Sequence, residues 1–192
     1  MLEKLFTSKT RTRLLMLLLF NQKRDYHLRE LARLVQTSPI HVAREMENLA
    51  TLNLVKKTKK ANLSIYSINP SCVFLSELKA IFLKTEYIGN IVRKYLKGKA
   101  QYALIYGSLA QGTETPASDV DLFVVSEMQE DDLVTFLPQI EGVLNREINY
   151  VLWNQKTFIQ NAKGGHYLLR SIKGKKIIML IGDEDGFKKQ IQ

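Results

Sequence analysis

Cysteine is nearly absent: the chain holds one, Cys72. A single thiol excludes an internal disulfide framework and suits a reducing cytoplasm. No obvious partner stands beside it, so it reads as a small packed residue rather than a nucleophile. Long apolar runs are missing too. A membrane helix needs about 18 such residues, and Leu14–Phe20 is far shorter, with no cleavage-site pattern after it. The expectation is a soluble protein of the cytoplasm that spans no membrane. Internal repeats and low-complexity tracts are also lacking. Acidic residues are the last shortage, 19 against 28 basic ones, for a net charge of +9.

That shortage is uneven. Residues 1–86 carry 15 Lys and Arg against 7 Asp and Glu, leaving 13 against 12 in the remainder. A protein kept soluble by general basicity would spread the excess. Concentration in one half predicts a polyanionic partner for that half. With 45% hydrophobic residues, 192 residues can fill two modest cores.

The chemistry concentrates between Ala103 and Val125. Ala103–Tyr106 is a short apolar run ended by Gly107, the mark of a buried strand. Gly107 and Ser108 begin a turn. Gly112, Thr113, Thr115 and Pro116 make the middle of the stretch a loop, or a short helix and then a loop. A second strand is expected from Asp119. Alternation puts Asp119 and Asp121 on one face, about 7 Å apart along the chain. Carboxylates that close raise each other's proton affinity unless a cation lies between them. Mg²⁺ suits them, because it takes one or two protein carboxylates and completes its shell with phosphate oxygens. The Gly-Ser turn offers backbone N–H groups and a hydroxyl for such a phosphate. The stretch reads as a site for a nucleoside triphosphate with Mg²⁺.

Gly107-Ser108, Gly112 and Ser118-Asp119-Val120-Asp121-Leu122 together resemble the DNA polymerase β type of nucleotidyltransferase, particularly its small stand-alone members. The resemblance implies a short mixed sheet and transfer of a nucleotidyl group, with ATP as the expected donor and pyrophosphate released. Carried over by position, Gly107, Ser108, Gly112 and Ser118 would hold the triphosphate, and Asp119 and Asp121 the metal. Two positions depart from the pattern. Gln111 stands where relatives often carry Arg. The third carboxylate position falls on Asn149, in the expected strand Arg146–Trp153, with Glu147 on the same face two residues earlier. Glu147 is the candidate third ligand or general base; without it the site binds nucleotide but does not turn it over. Small members of this family often work beside a separate helical toxin-like protein, which is the implied protein partner.

Toward the start of the chain, periodicity predicts helices over 8–20, 28–35 and 39–52, with a very short strand at Tyr26–Leu28. Ser38 reads as an N-cap with Pro39 at the first helical position, and Asn53 as a left-handed stop. The third helix should bury Val42, Met46, Leu49 and Leu52 and show His41, Arg44, Glu45 and Asn48 outward. Leu54–Ile68 reads as two strands around a basic turn at Lys59–Asn62. This order resembles the winged-helix DNA-binding domain of small repressors. Arg44 could then bond guanine, with Ser38, His41 and Asn48 beside it and Lys56, Lys57, Lys59 and Lys60 on phosphates. A helical core with a solvated lysine turn, or a winged helix that docks protein, stays open.

Residues 71–97 should be helical with a break near Thr85 and Glu86, serving either as a packed linker or as the seam of a homodimer. Beyond the central stretch, a helix is expected over Glu130–Leu144, then the strand to Trp153. Gln155–Ile172 should be helical with a break at Gly164-Gly165, where His166 could face the nucleotide or be structural. Lys175–Ile181 reads as a last strand and Asp183–Gln192 as a polar tail or a short helix. The expected fold is α/β (α+β): a winged helix over 1–70, a helical linker over 71–97 and a nucleotidyltransferase-like mixed sheet flanked by helices over 98–192. The expected function is a regulator of double-stranded DNA whose second domain binds nucleotide and transfers it. The alternatives are a transferase whose winged helix docks protein, and an inactive nucleotide sensor.

Overall fold

The computed structural model describes residues 2–60, 63–86, 88–115, 117–144 and 146–191, without the side chains of Lys60, Val143 and Leu144. The chain divides into two compact units, Met1–Phe82 and Leu83–Gln192. It is a mixed α/β protein with one sheet in each unit. No helix among the described residues is long and apolar enough to cross a membrane.

The first unit runs α1 (Leu2–Phe6), α2 (Lys9–Phe20), β1 (Tyr26–His27), α3 (Leu28–Leu34), α4 (Pro39–Thr51), β2 (Val55–Lys60), β3 (Leu63–Ile68) and α5 (Leu75–Thr85). Its sheet has the order β1-β3-β2, all antiparallel. Ser38 caps α4, its hydroxyl accepting from the His41 N–H at 3.3 Å, and Pro39 follows at the first turn. Both choices spare backbone donors that the helix cannot satisfy itself. Asn53 takes φ +56° and stops α4. Buried Asn69 locks that turn by donating to the Asn53 carbonyl at 2.8 Å. The core gathers Leu14, Leu15, Leu18, Leu31, Val42, Met46, Leu49 and Tyr66, and α5 adds Leu75, Leu78 and Phe82. Cys72 is buried there.

Two expectations for this unit need correction, and one helix is new. Leu52 is 56% exposed, not part of the buried stripe, because α4 ends before it and the chain turns at Asn53. Glu45 faces inward: its carboxylate accepts from the Ser8 hydroxyl at 2.6 Å and from Arg11 Nε at 2.8 Å. Burial works against its ionisation, but those hydrogen bonds outweigh burial and hold the carboxyl below the usual range. The helix α1 was not expected; its apolar stripe is too short to show a period, and tertiary contact of Phe6 with Phe82 secures it (ring centroids 5.8 Å). Ala61 and Asn62, in the expected basic turn, lie outside the described residues, as does the Lys60 side chain.

The second unit runs α6 (Ile88–Leu96), β4 (Ala100–Tyr106), α7 (Gly107–Gln111), β5 (Val120–Ser126), α8 (Glu130–Leu144), β6 (Ile148–Trp153), α9 (Gln155–Lys163), α10 (Tyr167–Ile172), β7 (Ile178–Ile181) and α11 (Glu184–Gln190). Its sheet has the order β6-β5-β4-β7. The pair β5–β6 is parallel and the other two pairs are antiparallel. Parallel neighbours need a crossover, which α8 supplies. β5 is central and buried on both faces, as its run Val-Asp-Leu-Phe-Val-Val requires. On one face Tyr102, Leu104, Phe123 and Val125 meet Phe158, Leu169 and Phe187 from the last three helices. Ala103, Ile105, Leu122 and Val124, which alternate with them, are equally buried. That opposite face is left to α6 and α8, which the stack of Tyr95 on Phe136 joins at 5.0 Å.

Several boundaries differ from expectation: β6 starts at Ile148 rather than Arg146, and β7 at Ile178 rather than Lys175. Asp119 precedes β5, which starts at Val120. Of the two readings of the end of the chain the short helix holds: Asp183 caps α11, and Phe187 is fully buried against Tyr102 at 5.3 Å. A single aromatic among Asp, Glu and Lys gives no periodicity that marks a packed face.

Candidate nucleotide site

The end of β4 and the start of β5 form the site. Tyr106 pairs in register with Asp121, and Asp121 with Asn149 of β6. Partners in a sheet present side chains on one face, so the antiparallel and parallel ladders converge on Asp121. Gly107 follows Tyr106 at φ +70°, a left-handed conformation open to glycine at no steric cost. A Cβ built there would lie 2.0 Å from Asp121 Oδ2. The carboxylate occupies the space a side chain at 107 would take.

Asp119, two residues earlier on the same face, is exposed and accepts from Asn149 Nδ2 at 3.1 Å. Burial first, and the charge of Asp119 second, raise the Asp121 carboxyl above its ordinary value. Each is a cost of keeping two anions together in a partly dry place, and a cation would relieve both. The donor set suits Mg²⁺, since both carboxylates offer oxygen and Asp119 is open to solvent. Among the described residues no group of three or more His, Cys, Asp or Glu converges as a metal cluster. Glu147 is exposed just ahead of β6, where its carbonyl accepts from the Val120 N–H at 2.9 Å.

The other expected residues have local duties. Ser108 is half-buried, and its carbonyl accepts from Thr113 N–H at 3.0 Å. Gly112 ends α7 at φ +78°. The Ser118 hydroxyl accepts from Thr115 N–H at 2.8 Å and folds the loop that delivers Asp119. Gln111 is exposed at the end of α7.

Two site residues escaped sequence reasoning. Arg146 donates through Nη1 to the carbonyls of Thr115 (2.8 Å) and Ser118 (2.6 Å), pinning the loop between α7 and β5. An Arg beside a strand carries no local sign of such a long reach. Tyr106 is half-buried; burial first, then the charges of Asp121 and Tyr167, push its hydroxyl up to about 12. Its place immediately before Gly107-Ser108 was the available signal.

A nucleotidyltransferase family model matches residues 86–172, under the description "Polymerase beta, Nucleotidyltransferase". The match takes in α6 through α10 and every residue of the site. Among solved structures, the chain is similar to a mutant of the toxin–antitoxin pair MntA–HpeT, at 14% identity over 54% of this chain and 77% of that one, TM-score 0.39. A toxin–antitoxin structure with AMP-PNP is 16% identical over 54% and 80%, TM-score 0.38. A tri-AMPylated Shewanella oneidensis HEPN toxin in complex with MNT antitoxin is 12% identical over 60% and 80%, TM-score 0.37. No curated protein matches the sequence.

The residues expected to read DNA lie on the first unit. Ser38, the cap of α4, and His41, Arg44 and Asn48 on α4 are all exposed, and Lys59 is exposed on β2. Lys57 differs: its ammonium pairs with Glu47 and lies 5.9 Å over the Tyr66 ring. That pairing, chiefly the hydrogen bond to Glu47, raises the Lys57 pKa.

Proposed function

We propose that the second unit binds a nucleoside triphosphate with Mg²⁺ and transfers its nucleotidyl group to a hydroxyl on a protein or small molecule. The observation that carries this reading is the Asp121 carboxylate lodged in the space that Gly107 leaves, with Asp119 beside it. Asp119 and Asp121 would hold Mg²⁺, which when bound neutralises triphosphate charge and orients the leaving pyrophosphate. Gly107 and Ser108 would hold phosphate oxygens through backbone N–H groups and the hydroxyl. The acceptor oxygen would attack the α-phosphorus and give its proton to a base, for which Glu147 is the candidate, as the bond to the α–β bridging oxygen breaks and pyrophosphate leaves. Asn149 keeps Asp119 oriented and Arg146 keeps its loop closed, so positioning supplies much of the rate. The helical toxin-like protein implied by the resemblance would be one such acceptor. Incubating the chain with α-labelled ATP, Mg²⁺ and candidate acceptors tests this. Label should transfer with the intact chain and not with Asp121→Asn. Binding without transfer to any acceptor would favour the nucleotide sensor.

A second reading concerns the first unit: as a winged helix, it would bind double-stranded DNA through α4 and the β2–β3 ribbon. The exposed row Ser38, His41, Arg44 and Asn48 and the excess positive charge of residues 1–86 favour it. Pairing of two copies through this unit would set two α4 helices one DNA turn apart. In a gel-shift titration, log affinity should fall steeply and linearly with log salt, because neutralised phosphates release counterions. A flat salt dependence would leave this unit as a protein-docking module.

A further inference from the structure

We propose that Tyr167, braced by His166, is the nucleobase platform of the site, a held aromatic face on which the flat ring of the bound nucleotide stacks. The proposal rests on the nucleotide reading above and adds to it where the base goes. Sheet alternation places Asp121 and Phe123 on one face of β5, with Trp153 of β6 on the same side. The Trp153 ring meets Phe123 edge-on at 5.1 Å and His166 edge-on at 5.0 Å, and His166 packs on Tyr167 at 4.5 Å. The junction of α9 and α10 therefore sits over the face that carries the carboxylates. Tyr106, the register partner of Asp121, packs into the same core as Leu168 and Leu169, the residues after Tyr167.

The junction is built to hold its shape. His166 caps α10 by accepting from the Leu168 N–H through Nδ1 at 3.2 Å, and its own N–H donates to the Asn161 carbonyl at 2.9 Å. Gly165 turns the chain at φ +61°, and a Cβ there would lie 2.8 Å from Arg170 Nη2, so the missing side chain lets the guanidinium lie over the turn. Tyr167 itself is 78% exposed, while Leu168, Leu169 and Ile172 of the same helix are buried. Folding gains little from a ring left so open. A braced aromatic with one free face, on the side of the sheet that carries Asp121, has the form that base stacking needs, because every nucleobase presents a π-face.

The test compares ligands with and without a base. Full-length protein is titrated calorimetrically with Mg²⁺–ATP and with Mg²⁺–tripolyphosphate, alongside thermal melts of each variant. Tyr167→Ala should weaken ATP binding between about 5- and 150-fold, the range of one stacked base, and leave tripolyphosphate within about twofold. Tyr167→Phe and Tyr167→Trp should restore ATP affinity. Unchanged ATP affinity in Tyr167→Ala, an equal loss of tripolyphosphate affinity, or no rescue by Phe would overturn the platform and leave the nucleotide reading standing. If the unaltered chain binds neither ligand, the nucleotide reading itself fails.

Discussion

Charge is handled in opposite ways by the two units. On the first, cations stand in water: Arg44 and Lys59 are exposed, and Lys57 is tied to a surface carboxylate. On the second, anions are drawn together and partly dried, Asp121 against Gly107 with Asp119 beside it. Exposed cations are stable as they are and attract polyanions at a distance. Clustered anions raise the energy of the empty site and lower it when a cation arrives. Exposed charge therefore costs the fold little, whereas carboxylates drawn together work against it until a cation arrives.

The sharpest way to break that contrast is Asp121→Asn. Mg²⁺–ATP affinity by calorimetry should fall by more than about 100-fold, beyond what loss of an outer partner of a metal ligand brings. Stability without ligand should not fall. The folded-state pKa of Asp121 lies above its ordinary value of 3.8. Its contribution is thus greatest in acid and is lost as pH rises through the folded value; Asn removes that slope. A variant that melts much lower at neutral pH would mean the carboxylate stabilises the fold.

Gly107→Ala comes next. The left-handed backbone and the collision with Asp121 Oδ2 should cost about 1–3 kcal/mol in denaturant unfolding, with nucleotide affinity lost as well. Unchanged affinity would show that the two residues do not act together. Glu45→Ala should destabilise the first unit by about 1.5–3 kcal/mol, since its partners Ser8 and Arg11 lose charge-assisted hydrogen bonds, while Mg²⁺–ATP binding stays within error. The smallest effect separates two lysines. In gel shifts, Lys59→Ala should lower the salt slope by nearly one phosphate contact, and Lys57→Ala by less, because Lys57 already has Glu47. Equal slopes would mean the Glu47 pair opens without cost on DNA.

Much of this was legible in the chain because it is local. Period two set Asp119 and Asp121 on one side, and period 3.6 marked Val42, Met46 and Leu49. Ser38-Pro39 and Asn53 fixed the ends of α4 through caps acting over three residues. Such signals depend on sterics and hydrogen bonds between near neighbours, so sequence determined them alone. Tertiary structure decided the rest. Glu45 looked like a surface residue until α2 came beside it, and Phe187 lay in an apparently polar tail. Arg146 reaches back 28 and 31 residues to close the site loop. The Asn149–Asp119 bond, the seating of Asp121 against Gly107 and the place of Tyr167 all depend on how strands pair and helices cover them. Those distances close only once the sheet has brought together segments whose separation along the chain carries no trace of the contact.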